Sequence, residues 1–334
     1  MSPDLVTVWA GLVAFAVLAY VVLDGFDLGV GILFPMVRDA RQRDTMINSI
    51  APVWDGNETW LVLGGGGLMA AFPLAYAVLL PAFYPLLIAM LLGLVFRGVA
   101  FEFRGRSDVH RPWWERGFAL GSVVAAFCQG VMLGAFIDGV SVDGRAYGGG
   151  WYDWLTPFSL ATGAAVVAGY ALLGATWLIL RTEGELQDRC RGLARALFVA
   201  VLAMVGLVSL WTPYAHAEVA ARWFAMPNLL YLSPVPVLVA ATAAVFWVSL
   251  GRGAERTPFL AALVLFGLSY AGLGISLYPY VVPYAVTLRA AAAPPESLSF
   301  MLVGAAVLLP LILGYTAYAY RVFRGKVSAD DGYH

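Results

Sequence analysis

Residues 7–34 read TVWAGLVAFAVLAYVVLDGFDLGVGILF, an apolar run that contains two carboxylates, Asp24 and Asp27, and no basic residue. A helix needs about 20 predominantly apolar residues to cross the hydrocarbon core of a bilayer. The run is long enough for such a helix, and it is too long for the apolar segment of a cleavable signal. It therefore predicts a first membrane-spanning helix.

Eight further apolar runs follow it, so the chain of 334 residues predicts nine spans. With 61% hydrophobic and only 12% charged residues, the composition is close to incompatible with a soluble enzyme. Long runs also disfavour a transmembrane barrel, which has short alternating strands. We predict an all-α, polytopic membrane protein that forms a single membrane domain over residues 1–334, with Pro81 separating the second and third spans. The nine predicted spans are 7–34, 58–79, 81–103, 114–137, 157–180, 193–213, 229–250, 258–279 and 298–322.

Basic residues alternate between the loops. Sixteen of the 20 Lys and Arg residues follow spans one, three, five, seven and nine. The opposite loops contain only Arg145, Arg222 and Arg289, and Arg97 lies within span three. Because cytoplasmic loops carry an excess of Lys and Arg, this pattern predicts an N-outside, C-inside topology. A formal net charge of −1 gives no indication of nucleic-acid binding.

Asp24 and Asp27 are candidate functional residues, because ionisable groups inside a bilayer are costly. They are three positions apart and share a helix face in the predicted cytoplasmic half of span one. Two ionised carboxylates would repel each other there, so one of them is suited to gaining and losing a proton. Arg97 lies at comparable depth in span three. An ion pair with Arg97 and a proton role are equally supported, and the two are compatible.

The segment Pro52–Trp60, PVWDGNETW, precedes and opens span two. Asp55 as N-cap with Glu58 three residues later would form a variant of the capping box. Alternatively, Asp55 and Glu58, with Trp54 and Asn57 around them, form a polar entrance that collects cytoplasmic protons.

Arg97 and Glu102 are five apart, which is a poor spacing for pairing within a helix. Each is therefore predicted to have a partner on another helix, whereas Arg104 could extend to the inner interface. Gln129, within span four, is predicted to form an interhelical hydrogen bond. Glycines spaced four apart, such as Gly25 and Gly29, indicate close helix packing.

Histidines are scarce, and the sequence predicts no metal site of its own. The three histidines, His110, His216 and His334, lie in loops or at the C-terminus, and there is no CxxCH motif. The chain is therefore a poor candidate to ligate a haem.

Several long motifs resemble subunit II of the cytochrome bd-type quinol oxidases, in particular its shorter, cyanide-insensitive-oxidase-like type. The matching motifs are DGFDLGVG at 24–31, MINSIAPVWDGNETWL at 46–61, the glycines at 64–67, AAFP at 70–73 and FRG at 96–98.

The resemblance implies a haem-free subunit, with no catalytic residue of its own, in a complex of the bacterial inner membrane that oxidises quinol and reduces oxygen to water. It implies two four-helix bundles and one extra helix, assigned here as 7–137, 157–250 and the final helices with the cytoplasmic tail, 258–334. The implied partner is subunit I, which carries two b haems and either haem d or a third haem b. A structural quinone, lipid and a small single-span accessory subunit occur in some members.

The resemblance also implies residue roles. The aspartate of the Trp-Asp-Gly-Asn motif belongs to a proton pathway, which maps to Asp55, and Asp24, Asp27 and Arg97 belong to the same pattern. Glu58 adds to proton collection or caps the helix. A proton-coupled secondary transporter that uses the intramembrane Asp and Arg residues is the alternative function, although a transporter is expected to carry such charges in both halves. A lipid-facing assembly scaffold without a proton role is a further alternative.

Overall fold

The computed structural model describes residues 4–106 and 109–330, which form an all-α protein with two short antiparallel hairpins. The helices are α1 (Leu5–Leu33), α2 (Ala40–Ile50), α3 (Trp54–Ala71), α4 (Pro73–Ala82), α5 (Tyr84–Phe103), α6 (Arg111–Asp138), α7 (Pro157–Arg181), α8 (Gly184–Ala215), α9 (Ala217–Phe224), α10 (Asn228–Leu232), α11 (Pro234–Gly251), α12 (Arg256–Leu277), α13 (Leu288–Ala291) and α14 (Pro295–Val322). The strands are β1 (Val142–Asp143), β2 (Ala146–Tyr147), β3 (Tyr280–Val282) and β4 (Val286–Thr287).

Eight helical segments in the described part of the chain are long and apolar enough to cross a membrane. The predicted span 58–79 is the exception, because it is not one continuous helix. α3 ends at Ala71, and Pro73 begins the short α4. Proline lacks the N–H that a continuing helix needs, so a break here is expected. Pro81, the predicted boundary, lies inside α4 instead, and the chain turns at Phe83. The count of nine spans stays a prediction.

The basic loops meet at one end of the helix bundle, which we call the basic end. Residues 323–330 lie across it: the Val327 amide donates to Arg181 O (2.8 Å), and Asn48 Nδ2 donates to Ser328 O (3.2 Å). The two hairpins lie at the opposite end, which we call the hairpin end. There the chain segment before α1 meets the region between β4 and α14 through a 2.7 Å ion pair between Asp4 and Arg289. This arrangement agrees with the predicted alternation of loops, and the side of the membrane that each end faces stays a prediction.

α1 lies in the middle of the structure, where it packs against α3, α6 and α7. Its contact with α7 is a close backbone approach, since a Cβ atom on Gly29 would lie 1.8 Å from the carbonyl oxygen of Tyr170. Gly130 and Gly134 of α6 face α7 in the same way. The close packing predicted from the glycine spacing is therefore confirmed at these positions. The division into two bundles stays a prediction.

Candidate functional site

A buried ion pair joins α1 to α5. Arg97 Nη1 lies 3.2 Å from Asp24 Oδ1, and both side chains are fully buried. Each helix packs closely on a neighbour beside the pair: Gly25 of α1 lies against α7, and Gly93 of α5 lies against α6. The ion pair predicted from the sequence is confirmed.

An aromatic pair covers the Arg97 guanidinium. The rings of Trp54 and Phe101 stack with centroids 4.7 Å apart and are parallel to within 1°. The guanidinium carbon lies 5.8 Å from the Trp54 ring and 6.0 Å from the Phe101 ring. A Cβ atom on Gly98 would lie 3.5 Å from the Trp54 ring, an ordinary van der Waals contact, so Gly98 lies beside the stack without being required by it. The contact places Trp54 and Arg97 in one site, held by packing and cation–π attraction.

Glu58 lies between this buried pair and the surface. Its carboxylate is 4.0 Å from Arg97 Nη1, and its side chain is 25% exposed. Asp55, one turn earlier on α3, is exposed and close enough to interact electrostatically with Glu58. The predicted capping box is wrong: Val53 is the N-cap of α3, without a side-chain cap, and Asp55 lies inside the first turn. An aspartate there still complements the positive end of the helix dipole.

Asp27 is held by a second set of contacts. Asn57 Nδ2 donates to Asp27 Oδ2 at 2.7 Å, and the Tyr320 hydroxyl donates to Asn57 Oδ1 at 2.9 Å. Asp27 and Asn57 are buried, and they lie on α1 and α3. Tyr320 lies on α14, 263 positions from Asn57. Sequence reasoning missed Tyr320, because no local pattern relates it to the motif around Asn57.

A third set of hydrogen bonds lies towards the hairpin end. Gln129 Nε2 donates to the Tyr20 hydroxyl oxygen, and the Tyr170 hydroxyl donates to Gln129 Oε1, both at 2.7 Å. Gln129 thus joins α1, α6 and α7, as the predicted interhelical role requires. Tyr20 lies one turn before Asp24 on the same face of α1.

Two residues singled out from the sequence, Glu102 and Arg104, lie outside the cluster that Asp24, Asp27, Arg97 and Glu58 form. Glu102 is 66% exposed and pairs with Arg106 of the same chain segment at 3.9 Å, so its predicted partner on another helix is wrong. Arg104 does not extend freely to the interface. It is buried and pairs with Asp44 (2.7 Å) and Glu115 (2.9 Å). Both differences arise because sequence spacing does not fix which face of α5 meets α2 and α6.

The two histidines in the described part of the chain lie at helix ends. His110 is at the N-terminus of α6, and His216 follows α8, where it stacks on Tyr284 and lies 3.7 Å from Asp138. His334 lies outside the described residues. Within residues 4–106 and 109–330, no group of three or more His, Cys, Asp or Glu side chains is placed to hold a metal ion.

Comparisons with known proteins identify relatives over almost the whole chain. The sequence profile of the family described as cytochrome bd terminal oxidase subunit II matches residues 5–323. Cytochrome bd-I ubiquinol oxidase subunit 2 of Escherichia coli strain K12 is 32% identical, with 97% of this chain and 95% of the relative aligned. Cytochrome bd ubiquinol oxidase subunit 2 of Bacillus subtilis strain 168 is also 32% identical, with 97% of each chain aligned.

A solved structure has the same fold. A chain in the structure of bd oxidase from Geobacillus thermodenitrificans superposes with a TM-score of 0.76. The superposition covers 96% of this chain and 98% of that chain, at 19% sequence identity.

Proposed function

Because the chain belongs to the cytochrome bd terminal oxidase subunit II family, we propose that it is a haem-free subunit that brings protons from the basic end towards the site of oxygen reduction. The observation that carries the proposal is the cluster of Asp24, Asp27 and Arg97, which is buried among helices yet connected to the surface through Glu58.

The charges of the cluster do not balance when every carboxyl is ionised. Three carboxylates, those of Asp24, Asp27 and Glu58, surround one guanidinium, that of Arg97. Full ionisation would leave two uncompensated negative charges in a region with little water, which is strongly unfavourable. The cluster therefore favours binding protons. A proton that enters from the surface can bind to any of these three carboxylates, which lie close together.

A route for such protons follows from exposure. Asp55 lies on the surface at the basic end, Glu58 is partly exposed one turn later, and Arg97 and Asp24 are fully buried behind it. Exposed carboxylates raise the local proton concentration, and the partly buried Glu58 is the group that passes the proton inwards. Arg97, 3.2 Å from Asp24 Oδ1, keeps Asp24 charged as its counter-ion, so Asp27, which has no such ion pair within the described residues, receives the proton.

The chemistry at haem is assigned to the partner. The positions of His110 and His216 support haem ligation by a haem-bearing subunit I, with quinol as the electron donor and oxygen as the acceptor. The basic end is assigned to the cytoplasm by the excess of Lys and Arg in its loops. A bacterial inner membrane fits this assignment, and a structural quinone and a small accessory subunit stay expectations of the resemblance.

The test is oxygen consumption by the complex purified through a tag on this chain, together with a reduced-minus-oxidised visible spectrum. Replacing Glu58 by Gln keeps the size of the side chain and removes its charge. We expect Glu58→Gln to lower turnover at least about tenfold, or ~1.4 kcal/mol in activation free energy, with an unchanged haem spectrum. Glu102→Gln is the matched control, because Glu102 is exposed and lies away from the cluster.

Two results would contradict the proposal. Full turnover in Glu58→Gln at full haem content would remove the proton route. A stable preparation that contains no haem would remove the oxidase assignment and favour a proton-coupled transporter that uses the same carboxylates.

A further inference from the structure

The Asn57 amide is held between the Asp27 carboxylate and the Tyr320 hydroxyl. A carboxylate only accepts hydrogen bonds, so the amide must turn its nitrogen towards Asp27 Oδ2, 2.7 Å away. The same nitrogen lies 3.4 Å from Leu23 O. Asn57 Oδ1 must then accept, and its donor is the Tyr320 hydroxyl at 2.9 Å. Each polar atom of the buried Asn57 side chain is thereby satisfied in one orientation.

Tyr320 reaches this position through aromatic packing between helices. Its ring meets the rings of Phe26 on α1 and Trp177 on α7 edge to face, with centroids 6.5 Å and 6.2 Å apart. Most of α14 is exposed on the surface of the chain, including the neighbouring Tyr315 and Tyr318. Tyr320 is thus the tyrosine of this turn that faces inwards, and its ring packs against Phe26 and Trp177.

We propose that Tyr320 is a positioning residue for proton binding at Asp27, acting through the Asn57 amide. This inference rests on the proposed proton role of Asp27. The amide itself carries no proton, because it neither gains nor loses one near neutral pH. The Tyr320–Asn57 pair holds Asp27 Oδ2 as a hydrogen-bond acceptor, so the proton binds and leaves at Oδ1.

The surroundings of Asp27 explain why orientation matters. Asp24, Arg97 and Glu58 act on its charge from α1, α5 and α3, and Tyr320 does so from α14. Without the Tyr320 hydroxyl, Asn57 Oδ1 loses its donor, so an orientation with this oxygen towards Asp27 becomes less unfavourable than before. That contact would repel the ionised carboxylate and favour the protonated one.

A cavity of about 20 Å³ lies on the basic-end side of Tyr320. It is lined by Ser49, Trp177, Arg181 and Phe323 among others, and its volume is enough for about one water molecule. Tyr320 thus borders this cavity and also contacts Asn57, the hydrogen-bond partner of Asp27.

The test compares single and double variants of the intact complex. Tyr320→Phe keeps the ring and removes the hydroxyl, and Tyr318→Phe is the matched control on the exposed side of the same helix. We expect Tyr320→Phe to lower turnover about 2- to 10-fold, as expected for one lost hydrogen bond, and to shift the acid limb of the pH profile to higher pH at unchanged haem content. Tyr318→Phe should match the unaltered complex in both measurements.

If Tyr320 acts through Asn57, the two substitutions are not additive. Asn57→Ala and the double variant Asn57→Ala with Tyr320→Phe should then have the same turnover and the same pH profile. Additive effects, or a Tyr320→Phe profile that superimposes on the unaltered one, would overturn the proposal. Loss of assembly in Tyr320→Phe alone would also overturn it, because the hydroxyl would then be a structural contact.

Two variants separate the positioning role of Tyr320 from the proton role of Asp27. If Asp27→Asn slows turnover while Tyr320→Phe does not, the proton role stands and the positioning role is wrong. If Asp27→Asn leaves turnover unchanged, the proton role of Asp27 and the positioning role fail together.

Discussion

The guanidinium of Arg97 lies 3.2 Å from the carboxylate of Asp24, and neither side chain reaches the surface of the chain. Trp54 of α3 and Phe101 of α5 cover the guanidinium, and Glu58 of α3 approaches it from the partly exposed side. Within the described part of the chain, Arg97 supplies the positive charge that faces the carboxylates of Asp24, Asp27 and Glu58. Arg97 of α5 thus contacts Asp24 of α1 and Glu58 of α3, so it connects three helices.

Replacing Arg97 by Leu should abolish assembly. The change leaves a buried carboxylate without a partner, and breaking a buried pair on one side costs roughly 3–5 kcal/mol. Arg106→Leu is the control, since Arg106 is 68% exposed. The measurement is the yield of haem-containing complex after affinity purification. A normal yield from Arg97→Leu would show that the ion pair is dispensable.

Replacing Asp55 by Asn should slow turnover less than Glu58→Gln does, by about two- to threefold, or ~0.5 kcal/mol in activation free energy. Asp55 is exposed, so its charge acts through solvent and is screened by salt. The difference from the unaltered complex should shrink as ionic strength rises. Oxygen consumption measured over a salt series tests this, with Asp188→Asn, at another exposed position of the basic end, as the control. An effect of Asp55→Asn that is equal at low and high salt would contradict a role in proton collection.

The Asp24–Arg97 pair was predictable because charge is rare in the spans. With one arginine and two aspartates at similar predicted depth, few pairings were open. The packing at Gly29 was predictable for a related reason, since glycines four apart form one smooth helix face. These features depend on local spacing and on the cost of burying charge, which a sequence displays directly.

Features that depend on how distant helices are rotated could not be predicted. Tyr320 meets Asn57 only because α14 crosses α3 at that height, and Glu102 faces outwards because of how α5 is turned. Arg104 is buried because α2 folds back over it, and nothing in the apolar pattern of span three indicates this. The break before Pro73 was missed because the apolar run continues through it without a polar residue.

Replacing Gly29 by Ala should destabilise the complex. The new Cβ atom would lie 1.8 Å from Tyr170 O, so α1 and α7 would have to separate. Overpacking of this kind typically costs about 1–3 kcal/mol. Gly11→Ala on the same helix is the control, because outside the local backbone of α1 no atom lies within 4 Å of its Cβ position. Alanine favours helix by up to about 1 kcal/mol over glycine, so Gly11→Ala should be neutral or stabilising. The measurement is the melting temperature of each purified variant. Equal melting temperatures for Gly29→Ala and Gly11→Ala would contradict the close approach of α1 and α7.

The attachment of residues 323–330 to the basic end should depend on pH through Glu255. Lys326 Nζ lies 2.8 Å from Glu255 Oε2, and Gln187 Nε2 donates to Oε1 at 2.9 Å. The hydrogen bonds from Lys326 and then from Gln187 hold the pKa of Glu255 below its ordinary value. A carboxyl of this kind contributes stability that is fully present above its ordinary pKa, about 4.3. The contribution is lost as pH falls through the lowered value.

The measurement is hydrogen–deuterium exchange of the peptide that contains Val327, whose amide donates to Arg181 O. After correction for the intrinsic pH dependence of exchange, protection should decrease in the acid range in the unaltered protein. Glu255→Gln removes the titrating group, so it should give weaker protection with little pH dependence. Protection that stays level with pH in the unaltered protein, or that is equal in Glu255→Gln, would show that the segment is held by its backbone contacts alone.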